Sequence, residues 1–440
     1  MNLRAGRTAK PRRLIVWLAI AALLTSACAA REGDDIGSPI FNGTTPTGEA
    51  VEPPFTTLPA PTVDAIRVPV EATTIQSAVD QAQPGDLILI EPGVYNEEVF
   101  VTTPDVVIRG RNRNTVFVDG AHGQTTGFTV LADGVAIENM TVRNYTGDAI
   151  IVSGDGEGIP RNRFRALHVT TSNSAGSGIA LENATNVEIR QGWFSGHGDA
   201  GVSVRDCSQC ATLITTSLAE YNARGYSVTG TADGVTIFSA TSRNNRTGIT
   251  IEDHPLRAAS GVVVAGNLIQ NNGFTQSPNN NDAWDTTFGV GIHVGGTFET
   301  SVVANRIEGN TRTALLLGHA VAGSGDPIAA LAERNNATGH PEGDIVFAFT
   351  GGVIDPGLCV TDNEGAVLLP AGADSAAGCS DTNTAPATFA WSDQGPRPSM
   401  PHQKVSVPPE IDGMVDADNA VAVPAGAIQL PDPSEAEVPS

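Results

Sequence analysis

"RGYSVTGTADGVTIFSATSRNNRTGITI" (residues 224–251) contains one full period of this chain. A glycine-led, strand-like run ("RGYSV") is followed by a second ("VTI", 235–237) and by a third that closes on "NN" before the next glycine-led run, "TGITI". "DAIIV" (148–152), "SGIAL" (177–181), "AGVSV" (200–204), "VGIHV" (290–294) and "TALLL" (313–317) align with the glycine-led run, and from Gly178 to Gly201, Gly225 and Gly248 the steps are 23, 24 and 23 residues. Apolar residues alternate with period 2 in units rich in Val, Ile, Thr and Gly, which specifies strands and disfavours helices. A unit of three short strands cannot bury its own apolar face, whereas stacked units share one continuous core, so the pattern predicts a solenoid. Asn144, Asn222 and Asn245 each lie three residues before a glycine. Asparagine tolerates left-handed backbone, and stacked copies can bond one another as a ladder.

With these repeats, the chain resembles the right-handed parallel β-helix proteins of the pectate-lyase-like superfold, in particular its NosD-type members. The segment "TTIQSAVDQAQPGDLILIEPGVYNEEVFVTTPDVVIRG" (73–110) is similar to that family's N-terminal cap. Ile75, Ala78, Val79 and Ala82 would form one face of a short helix with Thr73 or Thr74 as N-cap, able to cover the open end of the stack. The expectation is an all-β, single-stranded right-handed parallel β-helix over residues 65–362 with a short N-terminal capping helix. About ten coils at roughly 4.8 Å each would give a rod near 50 Å long. The superfold hosts lyases, hydrolases, epimerases and non-catalytic adhesins, so it implies shape and not chemistry.

Arg4, Arg7, Lys10, Arg12 and Arg13 precede the apolar run "LIVWLAIAALL" and then "TSAC", the pattern of an export signal over residues 1–27. The close at Cys28 resembles the lipobox of bacterial lipoproteins, which implies diacylation of that cysteine and a lipid anchor on the extracytoplasmic side of the membrane. Thr25 stands where that family more often has an aliphatic residue. Ordinary cleavage nearby and an uncleaved anchor are the other readings, the run being short for a span of about 20 residues. Loss of residues 1–27 removes five positive charges and no negative ones, taking the net charge from −23 to −28. So acidic a chain, with Lys10 and Lys404 its only lysines, offers nothing to nucleic acid. Residues 28–64, rich in Gly, Thr and Pro, read as a flexible tether, and residues 363–440 as a Cys-linked loop and an acidic, Pro-rich, largely disordered tail.

In an exported protein, Cys207, Cys210, Cys359 and Cys379 suggest disulfides, with Cys359 to Cys379 closing one loop. "CSQC" (207–210) also matches half a zinc site or a redox pair.

Two places could hold chemistry. The insertion "GFTQSPNNNDAWDTTF" (273–288) brings Trp284 to stack on a sugar ring, and Asp282 and Asp285 to hold Ca²⁺ or polar substrate groups. The basic run "GIPRNRFR" (158–165) marks a second insertion. Aligned units put Ser203, Ser227, Thr250 and His293 in one outward column, with Arg205, Thr229 and Glu252 two residues later. "EDHPLR" (252–257) then supplies Asp253, His254 and Arg257 at a strand corner. A uronate lyase or C5-epimerase needs a base, an acid and a cation to neutralise the substrate carboxylate, and Asp253, His254, His293 and Arg257 are of those types. The stretch also resembles the mannuronan C5-epimerase motif Asp-Pro-His, although here the order is Asp253-His254-Pro255. His122, His168, His197, His319, His340 and His402 are scattered singly, as surface or turn residues would be. Two functions follow as expectations: a surface-anchored, non-catalytic β-helix that binds extracellular or cell-wall glycan, or a lyase or epimerase acting on uronic-acid polymers. A role in metal-centre maturation, as in the NosD proteins, would need a His or Met cluster that the sequence lacks.

Overall fold

The strands pair as the repeat spacing predicts, each with its counterpart one coil away. The structure is a computed structural model that describes residues 64–440 apart from 155–157, 253–257, 319–324, 350–357, 372–378, 380–389, 393 and 412–427, and apart from the side chains of 282–284. Among the described residues, thirty-five short strands build three long parallel sheets of twelve, eleven and ten strands, with one two-stranded piece between Arg161–Asn162 and Ala184–Thr185. The chain visits the three long sheets in turn and advances one coil per circuit, giving a right-handed parallel β-helix. The glycine-led runs lie in the eleven-stranded sheet, the second runs in the twelve-stranded sheet and the Asn-terminated runs in the ten-stranded sheet.

Period-2 alternation sends one set of side chains inward, where identical positions stack. Ile150, Ile179, Val202, Tyr226, Ile249, Ile292 and Leu315 form one such column, in register and at most 1% exposed. Each such burial contributes about 1.5–3 kcal/mol. The strand-leading glycines answer to a close approach. A Cβ at Gly178, Gly201, Gly225, Gly248 or Gly291 would lie 2.7 Å or less from the next coil's carbonyl oxygen.

Two of the three corners use the same two-residue device. The residue after seven of the ten described strands of the ten-stranded sheet turns left-handed: Asn144 (φ 63°), Asn173 (56°), Tyr221 (55°), Asn244 (54°) and Asn271 (53°), with Gly196 and Gly309 in the same position. The following residue points inward and forms the ladder. The Asn222 backbone N–H donates to Asn245 Oδ1 (2.9 Å), Asn245 N–H to Asn272 Oδ1 (3.0 Å) and Asn272 N–H to Asn310 Oδ1 (3.0 Å). Asn144 therefore belongs to the left-handed position and not to the ladder. A second ladder, Asn267–Asn305–Asn335–Asn363, repeats the device at the corner leaving the twelve-stranded sheet. Both satisfy turn amides that have no partner within their own coil.

His197 and His340 stand at the ends of the first ladder. The His197 N–H donates to Asn222 Oδ1 (2.9 Å), and Asn310 Nδ2 meets His340 Nε2 at 3.3 Å. His197 and His340, and His168 at the corner leaving the twelve-stranded sheet, are thus turn residues, as the sequence suggests, but buried ones. Burial lowers the His168 imidazole to about 4 and that of His197 to about 3.

The first coil is closed by a helix, Ile75–Gln81, capped by Thr74 and burying Ile75, Ala78 and Val79. Both oxygens of the Glu97 carboxylate accept helix N-terminal amides, from Ile75 and Gln76. The Gln76 side chain serves the edge strand Val99–Val101: its Oε1 accepts the Phe100 N–H (2.7 Å) and its amide donates to the Phe100 carbonyl (3.2 Å).

Replacing Asn245 by Ala leaves the buried Asn222 N–H without the Asn245 oxygen, and is expected to cost about 1–3 kcal/mol in denaturant titration. Asn244→Gly, at a left-handed position, should stay within a few tenths of a kcal/mol of wild type. A pH prediction follows from the two depressed histidines. Between pH 6.5 and about 4 the unfolded chain takes up protons that native His168 and His197 refuse, so stability falls as pH falls across that window. His197→Asn extends the ladder by one rung and should flatten that fall by about 1.4 kcal/mol per pH unit in titrations at pH 7, 6 and 5.

Candidate functional site

Side chains that alternate with the core column face outward from the eleven-stranded sheet. Ser203, Ser227, Thr250 and His293 lie in one column and Glu182, Arg205, Thr229 and Glu252 in the next, in the register expected from sequence. The first column does not face solvent: Ser203, Ser227, Thr250 and His293 are at most 2% exposed. Arg224 sits at the start of its strand, Arg224–Thr229, and Glu252 at the end of the next, Thr247–Glu252, so the two long side chains meet lengthwise along this face.

A continuous polar chain results, crossing from coil to coil. The Ser177 backbone N–H donates to Asp148 Oδ1 (2.6 Å), and the Ser177 hydroxyl to Asp199 Oδ2 (3.0 Å). Arg224 pairs with Asp199 through Nη2 and with Glu252 Oε1 through Nη1 (3.3 Å). Glu252 Oε2 lies 3.9 Å from His293 Nδ1, and His293 Nε2 lies 3.0 Å from the Gly318 carbonyl oxygen. Burial pushes the Asp148 carboxyl up from its ordinary range. Along this chain one buried guanidinium, that of Arg224, stands between two carboxylates, Asp199 and Glu252. At the rim, Arg205 pairs with Glu182, both about one-third exposed.

Asp253, His254 and Arg257 follow Glu252 directly in sequence but lie outside the described residues, as do the side chains of Asp282 and Trp284 and the whole of Cys28. Of the proposed site, the structure therefore places His293 and Asp285. Asp285 does not face a ligand: it is 3% exposed, its Oδ1 accepts from Arg246 Nε (2.9 Å) and Nη2 (2.6 Å), and its Oδ2 accepts the Arg397 backbone N–H (2.7 Å). Its role is to clamp the inserted loop and the C-terminal tail to the solenoid, and those bonds take the oxygens that a Ca²⁺ ion would use. Among the described residues no group of three or more His, Cys, Asp or Glu is gathered to hold a metal.

The four described cysteines are paired as disulfides, Cys207 with Cys210 and Cys359 with Cys379. Cys207 and Cys210 are wholly buried at a corner, which removes them as zinc ligands. The run 158–165 is neutralised locally: Arg163 pairs with Asp105 (2.9 Å) and Arg165 with Glu188 (3.7 Å).

The expectation of a largely disordered tail does not hold for its described part. Trp391 donates through Nε1 to the Thr286 carbonyl (2.9 Å) beneath the Arg312 guanidinium, 3.6 Å from the ring centroid. Arg246 donates to the Pro398 carbonyl (2.8 Å), Asn173 to that of Val405 (2.8 Å), and Asn114 to that of Ile411 (2.9 Å). Farther on, Ala436 packs against Ala265, Val303 and Ala304. The sequence hides these contacts because each joins a tail residue to a coil far away along the chain. Buried Arg224 and Arg246, preceding strand-leading Gly225 and at the ladder corner, were the available signals.

Residues 114–311 match the family described as "Right handed beta helix region". A search of curated proteins finds no match. Among solved structures, the chain is similar to the A-module of a mannuronan C-5 epimerase from Azotobacter vinelandii, at 15% identity over 58% of this chain and 68% of that one (TM-score 0.45). It is similar to an alginate lyase from Paenibacillus sp., at 13% identity over 62% and 94% (TM-score 0.41). It is also similar to a mannuronic acid specific polysaccharide family 6 lyase from human gut microbiota, at 13% identity over 59% and 65% (TM-score 0.41).

Removing one partner of the buried Arg246–Asp285 pair, as in Asp285→Ala, is expected to cost about 3–5 kcal/mol. It should also free the tail, so that limited proteolysis cuts within residues 394–411 under conditions that leave the wild-type tail intact.

Proposed function

We propose that the protein is exported, anchored by lipid at Cys28, and engages extracellular or cell-wall polysaccharide along the outer face of its eleven-stranded sheet, holding the polymer without cleaving it. The observation that carries this reading is that the described charges there are engaged in ion pairs with one another. Arg224 lies between Asp199 and Glu252 and Arg205 against Glu182, so these groups stiffen the face and are not poised as free acids or bases. A solenoid presents such a face as a straight track with a repeated register, which suits a linear polymer.

A second reading, a lyase or C5-epimerase acting on uronic-acid polymers, is favoured by one contact. Glu252 beside His293 leads directly into Asp253, His254 and Arg257, so an acid, a base and a cation for the substrate carboxylate would converge at one corner.

Glycan-array binding followed by mass spectrometry of the bound polymers separates the two. Holding predicts retention of polymer with its mass and unsaturation unchanged. Turnover predicts unsaturated or epimerised products whose formation drops about 10²–10⁴-fold in Asp253→Ala or His254→Ala at unchanged thermal stability. Absence of any glycan binding overturns both. Lipidation is tested by detergent partitioning, where Cys28→Ala should move the protein to the aqueous phase.

A further inference from the structure

The outer face of the ten-stranded sheet differs in kind from the one just described. Trp193, Leu218, Thr241 and Leu268 occupy one column over four successive coils, in register and only partly buried. Beside them runs a column of planar polar groups already fixed in orientation. The Trp193 indole N–H donates to Glu220 Oε1 (2.9 Å), and Arg243 Nε to Glu220 Oε2 (2.9 Å). In the next coils Gln270 donates to Glu308 Oε1 (2.6 Å), and Arg306 Nε to Glu308 Oε2 (2.9 Å).

On this stretch Arg243 pairs with Glu220, and one coil farther on Arg306 pairs with Glu308, on a chain whose net charge is −23. The same sheet already carries an extended chain on its first coils. Val405 packs over Gly196, just past the end of the strand Trp193–Ser195, and Ile411 exchanges hydrogen bonds with Asn114, just before the strand Val116–Asp119. The tail thus crosses from one border of the sheet to the other, and Thr141, Thr170, Ser172 and Ser195 are buried in that region.

We propose that the remaining stretch, from Trp193 to Leu268, is a second polysaccharide-binding surface, specific for a neutral, linear polymer lying parallel to the solenoid axis. Coils repeat every 4.7–4.9 Å or so, close to the length of one hexopyranose unit, so each sugar meets one apolar and one polar position. The apolar column faces the C–H side of the rings, and Arg243 and Gln270 face the hydroxyls, with Glu220 buried beneath and fixing Trp193 and Arg243. The Trp193 ring is held by its N–H bond before any ligand arrives, which lowers the ordering cost of binding. A polyuronate would meet the acidic surroundings of a stretch whose Arg243 is already paired with Glu220. The inference takes from the proposed function only the class of ligand, and places it on a different sheet.

The test uses the full mature chain and linear neutral gluco-oligosaccharides of increasing length, followed by tryptophan fluorescence and affinity electrophoresis. Affinity is expected to rise with length until the four coils are spanned. It should fall about tenfold or more in Trp193→Ala, and less in Trp193→Phe, which keeps the stacking ring. Retention of polyuronate, which this surface does not take, should be the same in Trp193→Ala as in wild type, so the two readings fail separately. Equal binding by wild type and Trp193→Ala overturns the proposal, as does preference for anionic oligosaccharides. Self-association that Trp193→Ala abolishes, without glycan binding, would assign the surface to a second copy and overturn it as well.

Discussion

A corner amide buried between stacked coils has no acceptor in its own coil, and the inward asparagines are what resolve this. Each Asn oxygen in the two ladders accepts a backbone N–H from the preceding coil, and in all but Asn310 the amide also reaches a carbonyl farther back, as Asn245 does with Asn222 N–H and Ala219 O. The bonds run along the axis and fix the register of one coil on the next. A one-residue slip would turn every inward Val or Ile outward. The core columns, the glycine contacts and the outer charge rows all inherit their alignment from these corners.

The repeat was legible because its signals are local: a strand-leading glycine, period-2 alternation and an Asn turn within each unit. The capping helix was legible for the same reason, with Thr74 as N-cap and Ile75, Ala78 and Val79 on one face. The second ladder was harder to see. Asn267, Asn305, Asn335 and Asn363 are separated by 38, 30 and 28 residues, because insertions at the other corners stretch the spacing. Asn144 was misplaced by one position because its following glycine, Gly147, is not the strand-leading one; Ala149 stands there, in line with the residue before Ile179.

The candidate site was legible only as columns. Register follows from the repeat, so His293 falls beside Thr250 and Glu252 two residues farther on, as expected. Exposure does not follow, because it depends on long side chains laid across coils. Asp285 illustrates the limit: a loop carboxylate beside Trp284 has the composition of a sugar or Ca²⁺ site, yet Arg246 from the corner below and the Arg397 amide from the tail claim it. Acidic chains with few cations concentrate those cations where they neutralise buried carboxylates, and Arg109 with Glu138 is a further case, both side chains 3% exposed.

The donor direction within the ladder has a consequence for how the chain is made. Asn222 N–H waits for Asn245, Asn245 N–H for Asn272, and Asn272 N–H for Asn310, each acceptor arriving later in synthesis than its donor. A nascent solenoid emerging from its capped first coil therefore always has an unsatisfied leading coil, and growth is polar. The series ends at His340, whose N–H and Nδ1 both meet Asp344 Oδ1 within the same coil, at 3.0 and 2.8 Å. Asp344 acts as a terminator of vectorial assembly, the one acceptor of this ladder that does not have to await another turn of the chain.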